Sequence, residues 1–364
     1  MRRIDPDFLE SFVTDLARSL GVPDGDAPDL ATALVGADLS GHSSHGTRLL
    51  PAKYVPEISE GKIDPTANFR IERDEGVFLT IDGRRAFGQV VAGEAVDLGV
   101  AKADEYGIGV VSIRNVSHIG RVGEWAERAT ESGMALVGFV ANPGSRWVAP
   151  PGSAHRRFST NPVVVGLPTH DVLPFPLVLD MGTAQVARSK IRERAAARKP
   201  IPDEWVVDQS GKYISDGAEF ENGDGSILPL GGLATGHKGY GLAVMSELLT
   251  GNASDGSVSG MDDVIWGNHV LFYVTDVERL TTPEALEARI SAFVDYVRET
   301  EYSPEIPMPK AAMGDRALLP GEAEHRTREE RRENGIPLPE EDARLLRDLA
   351  SDRSLEGAVP DSLR

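Results

Sequence analysis

Four places in the chain bring together residue types that can do chemistry. His45 stands in Ser44-His45-Gly46, with Arg48 close behind. A histidine gives and takes a proton near neutral pH, and an arginine grips a carboxylate through two parallel hydrogen bonds. A base and a clamp together suit a hydroxy acid. The same residues also suit a helix start, with Ser43 or Ser44 as cap and the histidine incidental. His118 stands in Asn115-Val116-Ser117-His118-Ile119-Gly120-Arg121-Val122-Gly123, after an apolar strand and before a helix. Ligands bind at strand ends in layered α/β proteins, and Gly120 and Gly123 leave room for a cofactor against the backbone. A capping histidine is the alternative. His237 and Lys238, in Gly236-His237-Lys238-Gly239, come just before an apolar helix. Helix-start amides and a lysine charge suit a phosphate or pyrophosphate, while a solvated lysine on a glycine turn is the plainer reading. Asp180 ends a strand and is followed by Met181-Gly182-Thr183.

Other chemistries are excluded or lack their signatures. The dinucleotide fingerprint Gly-x-Gly-x-x-Gly is absent: Gly107-Ile108-Gly109 and Gly239-Tyr240-Gly241 lack the third glycine. No Walker loop is present. The chain has no cysteine, which removes disulfides, thiolate metal sites and cysteine nucleophiles. His42 and His45 are close but have no carboxylate between them, so no metal set emerges. The formal charge of −19 repels phosphate backbones, which argues against nucleic acid as a partner. Of the 38 basic residues 8 are lysine, so the surface is acidic and arginine-rich. No apolar run is long enough to span a bilayer and no signal core follows Met1-Arg2-Arg3, so the expected location is the cytoplasm.

The elements that must carry these residues follow from periodicity. Phe8, Phe12, Leu16 and Leu20 predict one helix face, and Leu30, Leu34 and Ala37 predict another on a helix from about 28 to 39. Strands are expected over 77–81, 108–113, 136–140, 163–167 and 177–179. Helices are expected over 89–103, over 122–131 with Gly133 as cap, over 242–249 ending at Gly251, and over 282–299. The stretch 251–261 reads as a mobile loop, and 302–309 as extended and proline-rich. Two short helices split by Gly335-Ile336-Pro337 fill 322–349. Strand–helix alternation by itself points to a parallel α/β layer.

Six segments in order, namely 41–46, 115–123, 160–162, 179–187, 236–241 and 319–322, resemble the malate/L-lactate dehydrogenase family that is unrelated to Rossmann enzymes. Ureidoglycolate, sulfolactate and cyclic-imine-acid enzymes belong to the same family. The resemblance covers nearly the whole chain. It implies a mixed α and β, non-Rossmann fold with a largely antiparallel sheet and flanking helices. It divides the chain into a helical lobe of residues 1–75 packed with 305–364, and a nicotinamide-binding and substrate region of 76–304. It also implies a homodimer or larger homo-oligomer with sites near subunit contacts.

The implied reaction is hydride transfer between NAD or NADP and a small 2-hydroxy acid/2-oxo acid pair, malate or lactate first. Ser44 and His45 match the family's pair beside the substrate, His118 a proton acceptor of some members, and Thr160 a substrate contact. His118, Ile119, Gly120, Arg121, Val122, Asp180, Met181, Gly182, His237, Lys238, Gly321 and Glu322 match cofactor contacts. There are departures. Arg48 lies one residue earlier than the family's carboxylate clamp, and Tyr54 one later than the family's tyrosine. Lys190 stands where imine-reducing members carry an aspartate. His118 is therefore preferred to His45 as acid/base. Cyclic imino acid reduction and a non-catalytic nucleotide-binding homologue are the alternatives. Arg121 and Arg188 are the candidates to meet a 2′-phosphate.

Overall fold

The computed structural model describes residues 2–223, 225–262, 264, 266–303, 305–306 and 316–363. Half of the expected extended stretch 302–309 lies outside these. The chain opens with strand β1 (Arg2–Ile4), α1 (Pro6–Ser19) and α2 (Ala27–Leu39). Asp5 caps α1 by accepting from the amides of Asp7 and Phe8. A turn at Ser43–His45, a π turn at Leu50–Tyr54 and α3 (Val55–Ser59) follow. Then come β2 (Arg70–Glu75), β3 (Phe78–Asp82), α4 (Gly88–Tyr106), β4 (Ile108–Val116), α5 (Val122–Glu131) and β5 (Met134–Ala141). Next are β6 (Val163–Leu167), β7 (Leu177–Met181), α6 (Arg188–Ala196), β8 (Val206–Val207), α7 (Gly217–Glu221), β9 (Ser226–Ile227) and α8 (Gly232–Ser254). The chain closes with β10 (Asn268–Asp276), α9 (Pro283–Arg298), α10 (Glu322–Asn334), β11 (Ile336–Leu338) and α11 (Glu340–Asp352).

The main sheet has seven strands in the order β2-β3-β4-β10-β5-β6-β7. Its one parallel pair is β3 with β4; every other neighbour is antiparallel. The parallel reading of the alternation is thus true only of the β3–α4–β4 crossover. Elsewhere β10 arrives from late in the chain, slots between β4 and β5, and makes both contacts antiparallel. Val270, Phe272 and Val274 of β10 join Val111, Ile113, Leu136 and Val164 in a core that α4 and α5 close with Val96, Ala95, Trp125 and Ala126. On the other face His269 lies against Ser254 and Gly256 at the end of α8.

A second core joins the two ends of the chain. Leu9, Phe12, Leu16, Leu30 and Leu34 pack with Leu346, Ala350 and Leu363. Phe8 is 68 % exposed, so the buried stripe of α1 is Leu9, Phe12, Val13 and Leu16 rather than the four-residue spacing expected. The break between α10 and α11 is itself a strand: β11 pairs antiparallel with β1, Ile4 opposite Ile336. Helix α8 does not stop at Gly251 but runs to Ser254, so the loop expected from 251 begins later. Gly251 is buried in the helix because Val258 folds back onto it; a Cβ there would sit 2.4 Å from Val258 Cγ1. Among the described residues, no helix is long and apolar enough to cross a membrane.

Candidate functional site

Asp38, at the end of α2, is buried and accepts hydrogen bonds from the amide and hydroxyl of Thr47 at 2.9 and 2.7 Å. Burial pushes its carboxyl up to about 6 against those bonds. Its carboxylate packs so closely on Gly46 that a Cβ there would lie 2.0 Å from Asp38 Oδ1. This contact folds the Ser43–His45 turn back and fixes His45. Neither Ser43 nor Ser44 caps the turn with its side chain. Instead Ser44 Oγ lies 3.0 Å from His45 Nδ1. The capping alternative is thereby set aside.

His118 follows β4 on a loop fastened at both sides. The amide of Gly88 donates to Ser117 Oγ at 2.8 Å. The amide of Ile119 donates to Asn268 Oδ1 at 3.1 Å, and Trp125 Nε1 donates to the Ile119 carbonyl at 3.1 Å. The rings of His45 and His118 stack with centroids 5.3 Å apart and planes 20° from parallel. Tyr54 closes the other side, its hydroxyl 3.2 Å from His118 Nδ1. Tyr54 is fully buried, edge-on to Phe87 at 5.5 Å. It reaches His118 from a π turn. Such a turn holds about one more residue than an α turn, which absorbs the one-residue displacement of Tyr54.

Both histidines are neutral bases at neutral pH. Burial, then the charges of His42, Lys190 and Arg121, lower His45 to about 4. Burial, then His45 and Lys53, hold His118 well below the usual histidine range.

Arg48, the candidate carboxylate clamp, has a carboxylate of the chain itself beside it. Arg48 Nε lies 3.6 Å from the buried Asp342 of α11. Lys190, on the first turn of α6, is instead a cation whose charge acts on His45.

The other expected residues fall in three places. Arg121 is 3 % exposed and pairs with Glu127, which Arg328 joins at 2.8 Å. Asp180 accepts from the amide of Gly123 at 2.7 Å, at the start of α5, with Met181 and Gly182 just beyond. The carbonyl of Thr160 accepts from the amide of Thr183 at 2.8 Å, tying Thr160 to the same strand end. Val122 opens α5 and is buried against the sheet. Gly321 lies against the carbonyl of Pro176, and Glu322 is buried, binding Arg316, Arg326 and the Leu319 amide.

His237 and Lys238 are exposed. They lie inside α8 rather than before it, just past a break at Thr235 (φ −134°) where a second helical segment begins. Lys238 makes no ion pair among the described residues. Arg188 is bound by both nitrogens to Glu221, at 3.0 and 2.6 Å, and lies over Trp147.

Sequence reasoning missed Asp38, Gln89 and Lys53, and gave Tyr54 only as an irregular spacing. Only that spacing, which calls for a π turn, was a usable signal.

A family model described as malate/L-lactate dehydrogenase matches residues 4–347. Hydroxycarboxylate dehydrogenase B of Escherichia coli O157:H7 is 36% identical over 344 residues, 92% of this chain and 90% of that protein. Malate dehydrogenase of Pyrococcus horikoshii is 34% identical over 362 residues, 98% of this chain and 96% of its own. The solved sulfolactate dehydrogenase of Methanocaldococcus jannaschii superposes with a TM-score of 0.82 at 28% identity, covering 98% of each chain. With a sheet that is antiparallel but for one pair, and a serine–histidine turn stacked on a loop histidine, the chain belongs to the malate/L-lactate dehydrogenase family.

Proposed function

We propose that the protein is a cytoplasmic, nicotinamide-dependent dehydrogenase of small 2-hydroxy acids, with His118 as acid/base. The observation that carries this reading is the stacked pair of neutral histidines, each with one nitrogen held, by Ser44 and by Tyr54. A bound nicotinamide supplies the hydride chemistry. Lys238, unpaired at the start of a helical segment, and the glycine-bearing loops 119–123 and 180–182 fit an anionic dinucleotide. NAD is favoured over NADP, since Arg121 and Arg188 are already engaged by Glu127 and Glu221.

For the protein's own groups, His118 takes the hydroxyl proton in oxidation and returns it in reduction. Lys190 is our assignment for the second anionic group of the substrate, which places malate ahead of lactate. We assign Ser44 to hold His45 beside the reacting carbon, and Thr160 to contact the substrate. We also propose a homodimer through an apolar face. Val137, Val165 and Leu179 pair in one row across β5, β6 and β7, and all are more than a third exposed. Leu242, Met245 and Leu248 of α8 are exposed as well.

The test is turnover of NADH and NADPH with a panel of 2-oxo acids and cyclic imino acids. Oxaloacetate with NADH is expected to lead. Turnover confined to imino acids, or none at all, overturns the reading.

A further inference from the structure

Tyr54 and Gln89 form a buried chain behind His118 that the reaction as described does not use. Gln89 Nε2 donates to Tyr54 Oη at 2.6 Å, and Tyr54 Oη lies 3.2 Å from His118 Nδ1. Tyr54 is fully buried and Gln89 is 2 % exposed. A phenol has one proton to give. Because Tyr54 accepts from Gln89, that proton goes to His118 Nδ1. The amide of Gly120 also donates to Nδ1, at 3.3 Å. The chain in this direction leaves the ring proton of His118 on Nε2.

The other end of Gln89 is unsatisfied. Its Oε1 is buried and has no hydrogen-bond partner. A half-turn of the amide exchanges oxygen and nitrogen in nearly the same volume. Tyr54 then donates to Oε1 and accepts from His118 Nδ1–H, so the lone pair moves to Nε2. Each direction buries one orphaned amide group, so the second lies above the first chiefly by the bond that it gives up. The Gly120 bond, already long, is what the second direction gives up.

We propose that Gln89 and Tyr54 are positioning residues that form a reversible hydrogen-bond chain, whose direction decides which nitrogen of His118 carries the proton. The inference rests on His118 being the acid/base. With the chain running toward Gln89, Nε2 is a base: the substrate O–H breaks as Nε2–H forms. The resulting imidazolium keeps its Nδ1–H on Tyr54 Oη. In reduction Nε2–H returns its proton to the substrate oxygen and the same neutral form remains. With the chain running toward His118, Nε2 already holds a proton and cannot accept one. The groups facing the pair are His45, stacked on the ring, Lys53, and Glu57 near the phenol. Among the described residues none of these bonds to Tyr54 Oη or His118 Nδ1, so the chain has no competing acceptor there.

The experiment uses the full chain with ¹⁵N-labelled histidine, His118 being assigned from His118→Gln. Without substrate, His118 is expected to show the Nε2–H tautomer. Tyr54→Phe removes one oxygen, and Gln89→Met removes the amide while keeping the shape. Each is expected to shift His118 to a mixture of tautomers. Each should also lower kcat on the order of 10–100-fold with KM nearly unchanged, in a chain that stays folded although it loses a buried hydrogen bond. Gln89→Glu, which keeps an acceptor for the phenol, should recover most of the oxidation rate above the titration of the new carboxyl. An unchanged ¹⁵N pattern in Tyr54→Phe overturns the chain. If His118→Ala keeps its turnover while that pattern still shifts, the chain stands and the acid/base assignment fails.

Discussion

Among the described residues every hydrogen-bond partner of His118 is neutral, whereas a few residues along the chain Arg121 is surrounded by charge. His118 has Tyr54, Gly120 and, through Tyr54, Gln89. Arg121 has Glu127, which it shares with Arg328, and Glu124 nearby. Both places are polar and buried. The ionic group is locked, because withdrawing one member leaves a buried charge alone. The neutral chain can change direction with no net charge moved. The first can hold a loop rigidly, while the second lets a proton site change state without disturbing that loop.

The largest test of this contrast is on the neutral side. His118→Ala should lower kcat about 10²–10⁴-fold and leave cofactor titration unchanged. In the wild type the acid limb of kcat/KM for oxidation should lie well below the free-histidine value of about 6.5, because burial lowers both histidines. If His45→Ala shows the greater loss and His118→Ala keeps the limb, the roles are exchanged.

On the ionic side Arg121→Met should cost about 1–3 kcal/mol in urea unfolding, since the largely buried Glu127 loses one of its two arginine partners. An effect under about 1 kcal/mol, the range of an exposed pair, would mean that the network is solvated and the contrast false.

A smaller effect is set by pH, with opposite signs in the two regions. Glu124, raised to about 7 by burial, favours the fold below its unfolded value, and that contribution is lost as pH rises through 7. His45, lowered to about 4, favours the fold above its unfolded value, and its share is lost as pH falls toward 4. Melting temperatures of Glu124→Gln should therefore gain on the wild type at pH 8, and those of His45→Gln at pH 5. Parallel curves for wild type and both variants would remove the assignment. The smallest change expected is in Lys238→Ala: cofactor KM up about tenfold, equivalent to ~1.4 kcal/mol, with kcat at saturation kept.

How much of this could be read from the sequence differs by element. The strand bearing Val163–Leu167 and the helix from Val122 to Glu131 were legible, since each has one strong period. The neighbours of β10 were not, because periodicity says which residues are buried and not which strand lies alongside. Ser44, His45 and His118 were legible as residue types that can do chemistry, and the structure stacks the two histidine rings with Ser44 against His45. Of Arg48 only the residue type was legible, since its neighbour Asp342 lies 294 positions away. Gln89 was invisible: nothing in a helix reading Gly88-Gln89-Val90-Val91 marks the glutamine as the end of a buried chain.

The place of β10 also governs the order in which the molecule can be built. β4 and β5 are close in sequence but never touch, since β10 stands between them. Until Asn268–Asp276 leaves the ribosome, the nascent chain holds two ribbons, β2-β3-β4 and β5-β6-β7, each with an unpaired edge. Strand β1 waits longer still, for Ile336–Leu338. Long-range pairing of this kind is slow, and open edges invite association between chains. Translation therefore passes through a stage in which six of the strands exist but the sheet does not, and the arrival of β10 joins two vulnerable ribbons into one seven-stranded sheet.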